Sequence, residues 1–94
     1  MPQVTFSYTG QLANAAGTSE EVVDLSVGST VRAALDQLAA RHDGKWMELV
    51  FDDAGRIRST LLIVLDGVQA AGDKETLSLD GVTSVMLMTP IAGG

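Results

Sequence analysis

The fold is decided by residues 29–44, whose sequence is STVRAALDQLAARHDG. Apolar positions recur here at helical spacing and form one stripe, which consists of Val31, Ala34, Leu35, Leu38 and His42. Ser29 or Thr30 can cap the first turn by accepting a hydrogen bond from an orphan backbone N–H. Gly44 is suited to end the helix in the left-handed conformation. The stretch therefore predicts an amphipathic helix of about 13 residues.

Segments with strand character lie on both sides of this helix. They alternate apolar and polar residues or form a short buried run, and they are predicted at residues 4–8, 21–27, 61–65 and 83–89. Asp66-Gly67 is a tight hairpin signal that turns the chain back into residues 68–70. Pro90 ends the last strand because it has no N–H to donate. Residues 12–17 are small and polar, which predicts a loop.

This order of elements predicts an α+β fold with a mixed four- to five-stranded sheet and one main helix packed on one face. Residues 1–89 are expected to form the domain, and residues 90–94 a flexible C-terminal tail. The fold of residues 45–60 is left open. Their apolar side chains are expected to pack under or beside the sheet, and they are Trp46, Leu49, Val50 and Phe51. Residues 52–55 are expected to form a turn.

Composition excludes several classes of function. The 94 residues include no cysteine and one histidine, so disulfides, thiolate chemistry and multi-histidine metal centres are excluded, and no metal site is expected. Six basic against twelve acidic residues give a net charge of −6, which disfavours nucleic acid as a partner. The longest aliphatic run, residues 61–65, is too short to span a membrane. No basic residue precedes Arg32, so no signal peptide is indicated and a cytoplasmic location is expected.

No set of side chains in the sequence forms a catalytic pattern. His42 is expected to be a capping or half-buried histidine near the helix C-terminus. Asp52 and Asp53 lack the spacing of a calcium loop and are expected to lie in a turn. The glycines form no phosphate-binding motif. The chain is therefore not expected to catalyse a reaction alone.

The end of the sequence is its most unusual feature. Gly93 and Gly94 follow the last predicted strand after the three-residue spacer Pro90, Ile91 and Ala92. Glycine has no Cβ, so such an end fits a narrow channel, and residues 91–94 would reach roughly 14 Å when extended. The reactive group would be the Gly94 carboxylate, with the four preceding residues serving insertion. A frayed terminus or an expression scar is the alternative interpretation.

With this ending, the chain resembles the ubiquitin-like sulfur-carrier family, which contains the small subunit of molybdopterin synthase and the thiamine-pathway sulfur carrier. The most specific match is the ending Pro-x-Ala-Gly-Gly at residues 90–94, and the strands and helix follow the family's order. The resemblance implies a β-grasp fold in which the first and last strands lie side by side in parallel. Two departures leave the pathway open: residues 82–83 lack an acidic residue after the Asp80-Gly81 turn, and the segment at residues 44–60 is long.

The resemblance also implies a chemistry and its partners. An adenylyltransferase related to ubiquitin-activating enzymes would use ATP to adenylate Gly94, and a sulfur donor would convert the adenylate into a thiocarboxylate. The chain would bind no cofactor itself. The favoured role is sulfur donation as the small subunit of molybdopterin synthase, with the tail inserted into the large subunit. The alternatives are another sulfur-accepting enzyme, as in cysteine, thiamine or other sulfur metabolism, or a ubiquitin-like protein modifier.

Period-2 alternation in the last strand predicts a docking surface. Val85 and Leu87 should face the helix, so Met86 and Met88 should point to the open face of the sheet. Methionine side chains adapt to different surfaces, and these two are predicted to bind partners. The alternative is that residues 45–57 fold over this face and bury both methionines.

Overall fold

The computed structural model describes residues 3–89, which contain five strands and three helices. The bounds are β1 Gln3–Tyr8, α1 Gly10–Ala16, β2 Glu20–Asp24, α2 Val31–Ala39, α3 Gly44–Val50, β3 Leu62–Leu65, β4 Val68–Gln69 and β5 Ser84–Met88. A short 3₁₀ turn, Lys74–Thr76, lies between β4 and β5. The predicted tail residues Pro90, Ile91, Ala92, Gly93 and Gly94 lie outside the described residues.

The five strands form one mixed sheet in the order β2-β1-β5-β3-β4. β1 and β5 are parallel, whereas the other neighbouring pairs are antiparallel. The predicted parallel pairing of the first and last strands is thus confirmed. β5 lies in the middle of the sheet, because β1 pairs with one of its edges and β3 with the other.

One face of the sheet carries the core. The inward side chains of β1 and β5 are at most 4% exposed, and they are Val4, Phe6, Tyr8, Val85 and Leu87. α2 covers this face with the predicted stripe, since Val31, Ala34, Leu35 and Leu38 are all buried. Thr30 caps α2, its side chain accepting a hydrogen bond from the Ala33 N–H at 3.1 Å.

The predicted end of α2 was wrong. The helix stops at Ala39, and Gly44 begins α3 instead of ending α2. The cause is Asp43, whose side chain accepts a hydrogen bond from the Lys45 N–H at 3.1 Å and caps a new helix. α3 then buries Trp46 and Val50, which confirms the packing expected for the segment whose fold was left open.

The predicted loop at residues 12–17 was also wrong, because α1 occupies most of it. Three alanines favour helix here, and Leu12 anchors the helix in the core with no exposed surface. Gly17 ends α1 at φ 75°. β2 is shorter than predicted and ends at Asp24, which leaves Val27 in a loop with 88% of its surface exposed.

The hairpin predicted at Asp66-Gly67 is confirmed. Both residues have positive φ, 48° and 86°, as a two-residue turn between twisted strands requires. β3 and β4 leave the turn antiparallel, with Leu65 opposite Val68.

Candidate functional site

The central strand β5 leads toward the predicted tail. It begins beside Thr5, runs parallel to β1, and ends at Met88, opposite Leu62 of β3. Thr89 is the last described residue. A strand held on both edges gives the following segment a firm anchor, because its backbone hydrogen bonds are shared with two neighbours.

The open face of the sheet bears an apolar patch formed by β3 and β5. It consists of Leu62, Val64, Met86 and Met88, and is called the open-face patch below. Met86 lies opposite Val64, and Met88 lies opposite Leu62, so the four side chains form two adjacent cross-strand pairs. Leu62 is 41% and Met86 38% exposed, whereas the other two are partly buried. Residues 45–57 therefore do not bury Met86.

Acidic side chains of β2 lie on the same side of the sheet. Glu20 and Asp24 alternate with Val22 on the outward side of β2, and all three are exposed. Their partners on β1 are Ser7, Thr5 and Gln3, which places a polar strip between the carboxylates and β5. The open-face patch is thus flanked on one side by hydroxyl groups and then by negative charge.

His42 belongs to a buried structural cluster. Its ring stacks on Trp46 with centroids 5.3 Å apart, and its side chain is only 9% exposed. Its Nε2 contacts the Glu21 carboxylate, which also accepts a hydrogen bond from the Tyr8 hydroxyl at 2.7 Å. This cluster ties the α2–α3 connection to β1 and β2. Burial, and then the hydrogen bond and negative charge of Glu21, raise the pKa of Tyr8 above its ordinary value.

Arg41 closes the outer edge of the same cluster. Its guanidinium donates a hydrogen bond to the Val22 carbonyl oxygen at 3.0 Å and lies 3.7 Å from the Glu21 carboxylate. No pattern in the sequence predicts this contact, because Arg41 and Val22 are distant along the chain and meet only across the β2 edge.

Asp66 in the β3–β4 hairpin fixes the start of β5. Its carboxylate accepts hydrogen bonds from the backbone N–H of Ser84 at 2.9 Å and of Thr83 at 3.1 Å, and from both hydroxyls. These donors lower the pKa of Asp66, the Ser84 N–H having the largest effect. A hairpin motif that the sequence predicted as a turn also sets the position of the central strand.

Asp52 and Asp53 lie in the expected turn. The Asp52 side chain accepts hydrogen bonds from the Ala54 and Arg56 N–H groups, so its carboxylate is used within the turn itself. Within residues 3–89, no group of three or more histidine, aspartate or glutamate side chains is arranged to hold a metal ion. In that same part of the chain no helix is long and apolar enough to cross a membrane.

The fold of the chain is similar to that of several solved structures. SAMP1 from Haloferax volcanii superimposes with a TM-score of 0.84 at 26% sequence identity, over 98% of this chain and 99% of that one. A protein described as molybdopterin converting factor, subunit 1, from Pyrococcus furiosus matches with a TM-score of 0.69 at 23% identity, over 97% and 100%. Urm1 from Trypanosoma brucei matches with a TM-score of 0.71 at 19% identity, over 98% and 95%.

The chain has the β-grasp fold of its ubiquitin-like structural neighbours, as predicted. Its structural neighbours are members of the ubiquitin-like sulfur-carrier family, so the resemblance indicated by the sequence is confirmed. The likeness to the Pyrococcus and Trypanosoma proteins is one of fold. No protein-family model and no curated protein sequence matches the chain.

Proposed function

We propose that this protein is a ubiquitin-like carrier whose Gly94 carboxylate is adenylated, converted into a thiocarboxylate and used as a sulfur donor. The observation that carries the proposal is the position of β5. It is the central strand, paired with β1 and β3, and the sequence Pro90 to Gly94 begins two residues after it ends. A narrow glycine ending on a rigid base suits insertion into another protein's active site.

The proposed chemistry needs no catalytic side chain from this chain. A Gly94 carboxylate oxygen attacks the α-phosphorus of ATP, and pyrophosphate leaves. A sulfur nucleophile then attacks the acyl carbon, a C–S bond forms, and the C–O bond to AMP breaks. ATP is held by the activating enzyme, and the carrier binds no cofactor of its own. The absence of cysteine from the sequence fits sulfur carriage on the backbone carboxylate.

The open-face patch is the proposed docking surface for the activating and accepting enzymes. Met86 and Met88 lie next to the strand end that leads to Gly94, so a partner that binds them is positioned to receive the tail. Flexible, polarizable methionine contacts suit a surface that must fit two different proteins. Glu20 and Asp24 would steer basic partners toward this face.

For the acceptor, the large subunit of molybdopterin synthase is the first candidate. The Pyrococcus neighbour described as a molybdopterin converting factor subunit supports this choice through its fold. Acceptors in cysteine, thiamine or another sulfur metabolism remain alternatives, since the proposed carrier chemistry is the same for each.

A second candidate function is protein modification, in which Gly94 forms an isopeptide bond with a lysine. It is favoured by the neighbours described as small archaeal modifier protein 1, which match at 26% and 25% identity over almost their whole length. Both functions begin with adenylation of Gly94, and they differ in the nucleophile that displaces AMP.

The test is the intact mass of the protein after incubation with an activating enzyme, ATP and a sulfide source. Sulfur carriage predicts a gain equal to the replacement of one oxygen by sulfur, located on Gly94 by fragmentation. Conjugates on other proteins would favour the modifier. An unchanged mass with each activating enzyme encoded by the same genome would contradict both.

Substitutions of Gly93 provide the control for the tail. Gly93→Phe adds a side chain to the proposed channel segment and should abolish transfer, whereas Gly93→Ala should weaken it less. Deletion of Gly94 should abolish transfer while circular dichroism stays native. Full sulfur transfer by the deletion variant would overturn the proposal.

A further inference from the structure

An apolar groove lies at the end of the sheet opposite Thr89. It is lined by residues 3–4, 25–29 and 79–83 and has a volume of about 430 Å³. Val4, Leu25 and Leu79 line it with side chains that are at most 6% exposed. Because β5 starts at this end, the groove is separated from Thr89 by roughly 20 Å of extended strand.

The walls of the groove are joined by hydrogen bonds. The Gly28 N–H donates to the Asp80 carboxylate at 3.2 Å, and the Leu79 N–H donates to the Ser29 carbonyl oxygen at 2.9 Å. These bonds connect the β2–α2 loop to the turn before β5. These two hydrogen bonds fix the two walls relative to each other, which lowers the entropy lost when a ligand binds.

Val27 extends the apolar surface onto the rim. It is 88% exposed, more than Val68 at 70% or Met47 at 43%. A single exposed valine is ordinary, but this one adjoins a groove with buried aliphatic side chains in its lining. A ligand that covered Val27 would lie against the lining of this groove.

The charged residue in the groove lining is acidic. The sequence contains no lysine or arginine before Arg32 and none after Lys74, so all three lining segments come from stretches without a basic side chain. Asp80 lines the groove, and Asp66 binds its residue Thr83. Such a surface attracts a cationic partner.

We propose that this groove is a second docking site, whose occupant is a partner-protein segment with an aliphatic side chain flanked by lysine or arginine. The aliphatic side chain enters the groove and covers Val27, while the cationic groups meet Asp80. Since the groove and Thr89 lie at opposite ends of β5, a partner bound here leaves the other end of the sheet free. The site does not depend on the chemistry proposed for Gly94.

The test is a titration of the isotope-labelled full chain with the synthetic peptide Lys-Lys-Leu-Ile-Lys-Lys, followed by amide chemical shifts. Saturable shifts are expected at residues 25–29 and 79–83, and they should weaken as salt is added. A peptide with glutamate in place of lysine should produce none. Saturable shifts centred on the open-face patch would overturn the proposal.

Two matched variants separate groove binding from general attraction to an acidic protein. Val27→Glu should lower the affinity for the peptide by about tenfold, because it removes an apolar contact and places a negative charge on the rim. Val68→Glu adds the same charge at the β3–β4 hairpin and should leave the affinity unchanged. Equal effects of the two substitutions would overturn the proposal.

The charge component has its own control. Asp80→Asn keeps an oxygen that can accept from the Gly28 N–H but removes the negative charge, so affinity should fall at low salt and differ little at high salt. Each variant's native spectrum confirms its fold. Concentration-dependent shifts at the groove without peptide would identify a second copy of this chain as the occupant and overturn the proposed chemistry of the partner.

Discussion

Asp66, in the β3–β4 hairpin, is joined by two hydrogen bonds to the backbone of Ser84, the first residue of β5. The Asp66 N–H donates to the Ser84 carbonyl oxygen at 2.9 Å, and the Asp66 carboxylate accepts from the Ser84 N–H at the same distance. Thr83 adds a backbone and a hydroxyl donor to that carboxylate. The central strand therefore depends at its start on one charged side chain in a hairpin turn.

Asp66 makes the stability of the protein pH-dependent. Its pKa is lowered in the folded state, so the folded state binds fewer protons than the unfolded chain as pH falls through the carboxylate range. The contribution of Asp66 to the free energy of unfolding is complete above the pKa of the unfolded chain. It is lost as the pH decreases toward the lowered pKa of the folded state. Denaturant unfolding at several pH values should show this loss.

Asp66→Asn is the matched variant for that experiment. Asparagine tolerates the positive φ of 48° and keeps an acceptor oxygen, but it does not ionise. The variant should be less stable than the natural chain at neutral pH, and the difference should shrink in acid. A difference that stayed constant with pH would contradict the role assigned to this carboxylate.

Tyr8 should resist ionisation until the protein unfolds. The pKa of Tyr8 is raised in the folded state. Its contribution to the free energy of unfolding is therefore complete below the ordinary tyrosine pKa, about 10, and decreases as the pH rises above that value. The chain contains one tyrosine, so phenolate absorbance reports this side chain alone. Absorbance and circular dichroism should change together in an alkaline titration. Phenolate formation near the ordinary pKa with native circular dichroism would refute this expectation.

Tyr8→Phe removes the hydroxyl that donates to Glu21 and retains the buried ring. The free energy of unfolding should fall by about 1.5 kcal/mol, because the lost hydrogen bond is made to a charged group. Thermal or denaturant unfolding at neutral pH measures the change. An unchanged stability would show that His42 and Arg41 satisfy Glu21 without Tyr8.

Leu12 tests the helix that replaced the predicted loop. Its side chain is fully buried, so Leu12→Ala should lower the free energy of unfolding by ~2–5 kcal/mol through lost burial and the cavity left behind. Gln11→Ala, at the exposed neighbouring position, should change it by less than ~0.5 kcal/mol. Equal effects at both positions would be inconsistent with the burial of α1.

Met86 tests the open-face patch. Met86→Asp places a charge on a surface that is already 38% exposed, so the fold should tolerate it while partner binding is lost. Gln37→Asp makes the same addition of charge on the exposed side of α2 and should leave binding unchanged. Calorimetry with the activating enzyme measures both. A large fall in melting temperature for Met86→Asp would instead show that this side chain belongs to the core.

Local periodicity predicted much of the fold. The alternation in β1 and β5, the buried stripe of α2 and the Asp66-Gly67 turn depend on neighbours within a few residues, and each is confirmed. The predictions that failed are the loop at residues 12–17, which is helix α1, the length of β2 and the end of α2. Gly44 favours a helix end by its conformational freedom, yet the Asp43 side chain caps the next helix and determines the outcome.

The sequence by itself determined the alternating strands, the amphipathic helix, the lack of cysteine and the Gly93-Gly94 ending, because these follow from residue type and spacing. Only the tertiary structure decided that Tyr8, Glu21 and His42 meet, that Asp66 binds the start of β5, and that Val27 adjoins an apolar groove. These contacts join residues far apart along the chain. Their distances depend on how the sheet and the helices pack, which no local pattern encodes.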